Sequence, residues 1–288
     1  FQIGENWIDK EQYAFQLGDA ILFLCFLIFV LYLFVFAIYS KRKPQYNYPT
    51  AKKKYRFAVL FPAYQEDEVI IDSVKNFLVQ EYPRERYDII VISNQMRQDT
   101  IDNLKALSAK VVKMDSPQST KIEALKEAIH YIEKGDIKYD NVVILDADNI
   151  VKPSYLEKIN DALYAGCSAL QTHRVAKNRD SNIAVLDSVS EEINNSIFRK
   201  GHTRLGFSSA LSGSGMAFEY ELFKDIIQEC HDIGEDKYME RKLLLQNVYI
   251  EYLEEVYTYD EKVRGKRDFY NQRRRWLTTQ ISNLFSGL

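Results

Sequence analysis

Two aspartates, Asp146 and Asp148, stand one residue apart directly after an apolar run at residues 142–145. The run, VVIL, is bounded by polar residues and is too short for an independent helix, so it predicts a buried strand. A turn at the end of such a strand can direct both carboxylates to one point beyond the sheet edge, where ligands bind in open α/β sheets. Carboxylates this close repel each other unless a hard divalent cation lies between them and a phosphate. The pair therefore indicates metal-assisted chemistry on a phosphorylated ligand, with a turn or capping role for either aspartate as the alternative.

Three residues of the second half have types suited to group transfer. Asp236 follows Glu235 at the predicted start of a helix, where a carboxylate can be held rigidly as a general base; a simple helix-dipole role is the alternative. Arg275 supplies a guanidinium that can stabilise charge developing on a departing diphosphate. Trp276 supplies an indole on which the apolar face of a sugar can stack. Its neighbour Arg273 is interpreted instead as part of a patch that binds lipid headgroups.

The first half of the domain alternates strands and helices. Strands are predicted at 57–61, where Pro62 ends the run, at 87–93 and at 110–114, before the acid-bearing strand. Helices are predicted at about 67–80, 100–108 and 121–132, the last with a capping box formed by Thr120 and Glu123. Because strand, helix and strand at this spacing form right-handed crossovers between parallel strands, this half predicts a doubly wound α/β sheet of the nucleotide-binding type.

The second half has a different pattern. It predicts a strand at 169–175 and a helix at 183–198. A Gly- and Ser-rich loop follows at 208–218, and then helices at 222–229 and 236–246. The apolar residues of the 183–198 helix include Ile183, Val185, Leu186, Val189 and Ile193. Two short strands are predicted at 248–252 and 256–259, before a basic helix that contains Gln272, Arg275 and Trp276. The final residues mix apolar and uncharged polar types, which suits a helix on a membrane surface or the lead into a further span.

Residues 17–40 are almost continuously apolar and long enough to cross a hydrocarbon layer as a helix. Lys and Arg follow this segment, and acidic residues precede it, so the positive-inside rule places the large domain in the cytoplasm at the cell (inner) membrane. We predict an extracytoplasmic segment at 1–16, a transmembrane helix at 17–40, a basic linker at 41–56, a catalytic domain at 57–264 and a membrane-interface helix at 265–288.

Composition narrows the classes of partner. The net charge of the 288 residues is −3, which argues against a general nucleic-acid-binding surface; anionic membrane lipids account for the basic cluster after the apolar segment. The three cysteines have no metal-type spacing and predict no disulfide in a cytosolic domain.

Taken in order, these motifs resemble those of the membrane-bound family 2 glycosyltransferases, which include cellulose, hyaluronan, chitin and poly-N-acetylglucosamine synthases. The motifs are PAYQE at 62–66, DAD at 146–148, GSG at 213–215, ED at 235–236 and Q-x-x-R-W at 272–276. The resemblance covers about residues 57–280. It implies a GT-A fold (a Rossmann-like mixed sheet flanked by helices), a UDP-sugar donor, Mg²⁺ or Mn²⁺, and transfer with inversion at the anomeric carbon.

The resemblance also implies roles for individual residues. Asp236 would be the catalytic base, and Asp148 would bind the metal. The donor would be bound by Ala63, Tyr64, Glu66, Lys121, Asp146, Asp148 and Arg275. The acceptor would be bound by Gly213, Ser214, Gln272 and Trp276. Two of these residues also have a simpler interpretation, Glu66 as a first-turn helix acid and Lys121 as a solvated surface residue.

The sequence departs from the family after the second predicted strand. Where the family usually has an acidic pair that contacts uracil, this chain has Ser93 and Asn94, followed by Gln95. Amides and hydroxyls can still bind a base edge, so uracil binding stays a hypothesis while base selectivity is open. In the synthases, further membrane helices follow Q-x-x-R-W and form an export channel. We therefore expect one of two cases: the chain is part of a longer protein or has further membrane subunits, or it forms no export channel of that kind.

Three functions follow as hypotheses. The first is processive synthesis of a β-linked polysaccharide from a UDP-sugar at the cytoplasmic face of the membrane. The second is the addition of a sugar to a membrane lipid, so the acceptor is a carbohydrate or a lipid. The third is an inactive nucleotide-sensing membrane component, which the intact Asp146, Asp148 and Asp236 disfavour.

Overall fold

Eight strands form one mixed sheet. The computed structural model describes residues 2–43, 48–114, 120–230 and 234–286, without the side chains of 2–11, 279 and 282–286. The strands are β1 (Phe57–Tyr64), β2 (Tyr87–Asn94), β3 (Lys110–Met114), β4 (Asn141–Ile144), β5 (Ile150–Val151), β6 (Ala169–Ala176), β7 (Met216–Glu219) and β8 (Ile250–Asp260). Their order across the sheet is β3-β2-β1-β4-β7-β6-β8-β5.

Helices cover both faces of this sheet. They are α1 (Gln2–Tyr39), α2 (Ile70–Phe77), α3 (Gln98–Ala106), α4 (Lys121–Glu133), α5 (Tyr155–Tyr164), α6 (Asn182–Asn194), α7 (His202–Arg204), α8 (Tyr220–Glu229), α9 (Glu235–Leu245) and α10 (Lys266–Ser286). A π-helical segment, Asn195–Gly201, joins α6 to α7. Two hydrophobic clusters lie on opposite sides of the central strands, as the alternation of side chains along a strand requires.

The parallel half of the sheet agrees with the prediction from sequence. Strands β3, β2, β1 and β4 are neighbours and run parallel, which brings their carboxyl ends to one edge. All four residues of β4 are buried, as expected for a strand covered on both faces. The capping box at α4 is also confirmed: Thr120 accepts a hydrogen bond from the Glu123 amide, and Glu123 accepts one from the Thr120 amide.

Three predictions about strands were wrong. The first is the end of β1, which continues through Pro62 to Tyr64. Beyond residue 60, β1 pairs with β2 alone, so it is an edge strand on the β4 side and can contain a proline there. The predicted loop at 208–218 contains the start of β7, which inserts antiparallel beside β4. The two strands predicted near 248–259 form the single strand β8, whose pairing with β6 shifts register between Thr172 and His173.

The apolar segment forms a longer helix than predicted. α1 begins at Gln2, so residues 2–16 are helical and continuous with the apolar segment. Their extracytoplasmic position stays a prediction. Within it, residues Gln12–Tyr39 are long and apolar enough to cross a membrane. The last turns of α1 pack on the π-helical segment: a Cβ added at Gly201 would lie 2.5 Å from the Phe36 carbonyl oxygen. Glycine at 201 therefore allows the two backbones to meet closely.

Candidate active site

The turn after β4 fixes the two aspartates. The amide of Asp146 donates to Asn149 Oδ1 and to Ser214 Oγ, both at 3.0 Å. The carboxylate of Asp148 accepts hydrogen bonds from the Glu261 amide at 2.9 Å and from Asn149 Nδ2 at 3.0 Å. These contacts hold both acids at the carboxyl edge of the parallel strands, where the sequence placed them.

Lys121 joins three of the predicted motifs. Its ammonium lies 2.6 Å from Asp146 Oδ1 and 3.4 Å from Glu235 Oε1, and it donates to the carbonyl of Gly213. The two carboxylates raise the pKa of Lys121 above its ordinary value although burial opposes this. The interpretation of Lys121 as a solvated surface residue was therefore wrong; its contact with a donor phosphate stays a prediction.

The ED motif begins α9 directly beside the GSG loop. Gly234 precedes it with φ +98, a left-handed conformation that favours glycine. Asp236 Oδ2 accepts a hydrogen bond from the Gly213 amide at 3.1 Å. The Glu235 side chain is mostly buried, and its pKa is raised by burial and by Asp236 against the opposing charge of Lys121. Both acids line the cleft, but Glu235 is the one paired with Lys121, so Asp236 suits the role of the predicted base better.

Gly213 and Ser214 have different positions although they are adjacent. Gly213 lines the cleft beside Lys121 and Asp236. Ser214 is fully buried, and its hydroxyl donates to Asn149 Oδ1 behind the acid turn. The prediction that Ser214 contacts the acceptor does not fit this burial; its hydroxyl instead supports the turn that carries Asp146.

The Q-x-x-R-W residues of α10 form another wall of the cleft. Gln272, Arg275 and Trp276 all line it, and the charge of Arg275 contributes to lowering the pKa of Asp146. Arg273 does not form the predicted headgroup patch. Its guanidinium bonds to the buried Asp187 at 2.7 Å and lies 4.7 Å from the centre of the Trp276 ring. Arg273 therefore ties α10 to α6 and covers one face of the indole.

The residues predicted to hold the nucleoside lie at the ends of β1 and β2. Ala63 pairs with Ser93 and Tyr64 with Asn94, so the two predicted sets are neighbours in the sheet. Ala63, Ser93 and Asn94 are buried, whereas the Tyr64 side chain is exposed and its hydroxyl donates to Gln95 at 3.2 Å. Their contacts with a base stay predictions.

A single cleft of about 1400 Å³ contains most of these groups. Its polar part holds Glu66, Lys121, Asp146, Asp148, Asp236 and Arg275. Tyr32 of α1, Phe198, His202 and Phe207 also line it. The space is larger than the pockets of about 300–1,000 Å³ that enclose one drug-sized ligand, so it can hold a donor and part of an acceptor together.

A family model described as "Glycosyltransferase like family 2" matches residues 55–279, which is most of the chain. The chain belongs to this glycosyltransferase family. No curated protein matches the sequence.

Solved glycosyltransferases share its fold. A mannosyltransferase from Pyrobaculum calidifontis, solved with GDP-Man and Mn²⁺, has a TM-score of 0.67 at 18% identity over 89% of this chain and 71% of its own. Glucosyl-3-phosphoglycerate synthase from Mycobacterium tuberculosis, solved with Mn²⁺ and UDP, has a TM-score of 0.53 at 16% identity over 84% and 85%. Residues 1–349 of S. aureus TarS with UDP-GlcNAc have a TM-score of 0.54 at 16% identity, over 73% of this chain and 60% of that one. These similarities show the GT-A fold, and the expected mixed sheet flanked by helices is confirmed.

Several acids in the cleft of this glycosyltransferase lie close enough to repel one another. The pKa of Asp148 is raised by burial and by the charge of Asp146, and the pKa of Glu66 is raised by burial and by the charges of Asp148 and Asp146. Burial alone would raise the pKa of Asp146, but Lys121 and Arg174 outweigh it and hold this pKa below its ordinary value. A cation beside Asp148 would relieve the remaining repulsion, so the residues fit a divalent metal.

The donor set fits a metal that also binds phosphate. Among the residues that the structure describes, no group of three or more His, Cys, Asp or Glu side chains could hold a metal ion. The Asp148 oxygens each accept one hydrogen bond and retain lone pairs for a cation. Mg²⁺ is commonly held by one or two carboxylates with substrate phosphates, and this pattern matches the site.

A buried charge network behind the acids was missed from sequence. Arg174, at the end of β6, lines the cleft and bonds to Asp260 at 2.5 Å. Glu191 of α6 accepts from Arg199 at 2.8 Å and lies 3.8 Å from Lys262 Nζ. Burial would raise the pKa of Glu191, but Arg174, Arg199 and Lys262 lower it to about 2. These residues belong to no contiguous motif. The sequence signal that could have pointed to them is Arg174, a cation near the end of an otherwise largely uncharged predicted strand.

Proposed function

We propose that this enzyme transfers a sugar from a UDP-sugar to an acceptor hydroxyl with inversion at the anomeric carbon. Asp236 accepts the proton of the hydroxyl while its oxygen forms the new bond to the anomeric carbon and the bond to UDP breaks. Mg²⁺ or Mn²⁺ beside Asp148 supplies charge that stabilises the diphosphate when bound. Arg275 supplies a further positive charge to the same leaving group.

One observation carries this proposal: Asp146, Asp148, Asp236 and Arg275 line the same cleft. A transferase needs a phosphate-binding acid, a base and a cation to reach one reacting centre. Lys121 supports the arrangement, since its ammonium fixes Asp146 relative to Glu235, the neighbour of Asp236. The Mn²⁺ and nucleotide bound by the mannosyltransferase and by the glucosyl-3-phosphoglycerate synthase agree with this chemistry.

For the product we propose a β-linked polysaccharide that is made processively. The support is the indole of Trp276, which is half-buried in the cleft with Arg273 across one ring face. A sugar can stack on the other face, and Gln272, one helical turn earlier, can hydrogen-bond its hydroxyls. The Gly213 amide bonds to Oδ2 of Asp236, so the proposed base stands directly beside the GSG loop.

A lipid acceptor is the second candidate, and a different observation favours it. The cleft is also lined by Tyr32, Phe198, His202 and Phe207, whose rings pack together. Tyr32 belongs to α1, which we propose crosses the cell membrane with the catalytic domain on its cytoplasmic side. An apolar passage beside a membrane helix suits an acyl or prenyl chain whose polar end reaches Asp236.

The test is to purify the chain with its helix α1 in detergent or nanodiscs and to supply a panel of UDP- and GDP-sugars with Mn²⁺. We expect UDP release that depends on Mn²⁺ and on an added acceptor. Mass spectrometry of the product separates the candidates, because a ladder of masses means a polymer and one added hexose on a lipid means the second candidate. Absence of metal-dependent release with every donor would contradict the proposed transferase activity.

A further inference from the structure

Helix α6 has its polar and apolar faces reversed with respect to the protein core. Val185, Leu186, Val189 and Ile193 form one stripe along the helix, and each is between 43% and 53% exposed. The opposite face is buried and polar, with Asp187, Ser188 and Glu191. A helix on the surface of a water-soluble domain has the opposite arrangement.

The buried polar face is fully committed to the protein. Asp187 bonds to Arg273 of α10 at 2.7 Å, and Glu191 bonds to Arg199 at 2.8 Å. Ser188 donates to the Ala184 carbonyl at 2.7 Å. Because these groups need their partners, α6 cannot rotate to bury its apolar stripe without leaving charges unpaired.

The end of α6 leads directly to the base of α1. In the π-helical segment that follows α6, Ser196 Oγ donates a hydrogen bond of 2.9 Å to Oγ of Ser40, the residue directly after α1. His202 directly follows the π-helical segment, and its Nε2 lies 2.6 Å from the hydroxyl oxygen of Tyr32. The C-terminal end of α6 is therefore joined, through the π-helical segment, to the end of the candidate membrane span.

We propose that the outer face of α6, formed by Val185, Leu186, Val189 and Ile193, lies in the interfacial layer of the lipid bilayer that α1 crosses. We favour lipid as the partner of this face because of its link to α1. A membrane-spanning α1 places its own C-terminal end at the membrane surface, and the segment that follows α6 packs on that end. The charged inner face then holds the domain, through Asp187 and Glu191, at a set height above the acyl chains. This inference rests on the proposed span of α1, and not on the proposed transferase activity.

The test uses the full chain in nanodiscs and a single introduced tryptophan. In a Trp7→Phe, Trp276→Phe background, Val189→Trp reports on the stripe, and Lys158→Trp on the exposed surface of α5 is the matched control. We expect Val189→Trp emission to be blue-shifted and quenched by phospholipids brominated near the top of the acyl chain. Lys158→Trp should be neither.

Two results would overturn the proposal. One is quenching of Val189→Trp by aqueous iodide as strong as that of Lys158→Trp, which means that water covers the stripe. The other is a blue shift without quenching by brominated lipid, together with a dimeric mass, which means that a second copy covers it. Neither readout requires sugar transfer, so UDP release measured on a Val189→Trp variant that keeps Trp276 reports separately on the proposed function.

Discussion

Replacing Lys121 by methionine should destabilise the protein, because the ammonium neutralises two carboxylates of the site. Methionine keeps most of the side-chain volume and removes the charge. In the wild type the nitrogen lies 2.6 Å from Asp146 and 3.4 Å from Glu235. The variant leaves both acids facing the Gly213 carbonyl with no cation between them.

The size of the effect follows from these distances and from exposure. At an effective dielectric constant of about 20 the two pairs are worth about 6 and about 5 kcal/mol before the cost of removing the charges from water. Desolvation offsets much of this, and breaking a buried pair typically costs about 3–5 kcal/mol. The Asp146 side chain is 38% exposed to the cleft, so water screens that pair. We therefore expect a loss near the lower end of that range, about 3 kcal/mol.

The assay is denaturant unfolding of the detergent-solubilised chain, followed by circular dichroism. Lys126→Met on the same helix is the control, since Lys126 forms no ion pair with the acids among the residues that the structure describes. We expect its unfolding free energy to stay near the wild-type value. Lys121→Arg should recover part of the loss, because it restores the charge but not the compact geometry. A Lys121→Met protein as stable as Lys126→Met would refute the reasoning that this ammonium neutralises the site.

Four further outcomes are expected. Asp236→Asn should lower the rate of sugar transfer by about 10²–10⁴-fold, since an amide cannot take the proton, while UDP affinity measured by calorimetry stays unchanged. Asp148→Asn should weaken UDP binding in Mn²⁺ and leave binding in EDTA unaltered. Gly215→Ala should cost at least about 2 kcal/mol, because φ is +66 and the new Cβ would lie 2.3 Å from Thr172 Oγ1. The carboxylate of Glu191, whose pKa falls from 4.5 to about 2 on folding, should contribute about 3 kcal/mol of stability above pH 4.5 that is lost as the pH falls toward 2.

Each of these outcomes has a control. Asp225→Asn, on the exposed side of α8, should retain transfer and Mn²⁺-dependent binding. Gly166→Ala has open space around its Cβ but φ +105, so it isolates the backbone strain from the clash at Gly215. Glu191→Gln should be less stable than the wild type at pH 7 and should lose less on acidification. Wild-type transfer by Asp236→Asn would remove its assignment as the base, and equal acid sensitivity of Glu191→Gln would remove the linkage.

Local sequence patterns predicted much of the fold. The apolar run before Asp146, the capping box at Thr120 and the alternation of strands and helices all gave elements that the structure contains. These succeed because burial and capping act over a few residues. β7 was missed because its pairing with β4 depends on residues far away in sequence, and the flanking glycines gave a loop signal.

The candidate site divides in the same way. The sequence predicted Asp146, Asp148, Asp236, Arg275 and Trp276 as site residues, and the structure brings all five to one cleft. The sequence could not predict which side chains these and the neighbouring residues contact. That Lys121 joins three motifs, that Ser214 is buried and that Arg273 bonds to Asp187 all depend on contacts between separate elements.

The sequence by itself determined the acids at a strand end, the family and the presence of a long apolar helix, because each of these depends on short stretches of neighbouring residues. Only the tertiary structure decided which way α6 faces. Its pattern of Val185, Leu186, Val189 and Ile193 fits a core helix equally well, and periodicity cannot say which side meets the protein. The buried partners Arg273 and Arg199 decide it, because unpaired charges cost more to bury than apolar side chains cost to expose.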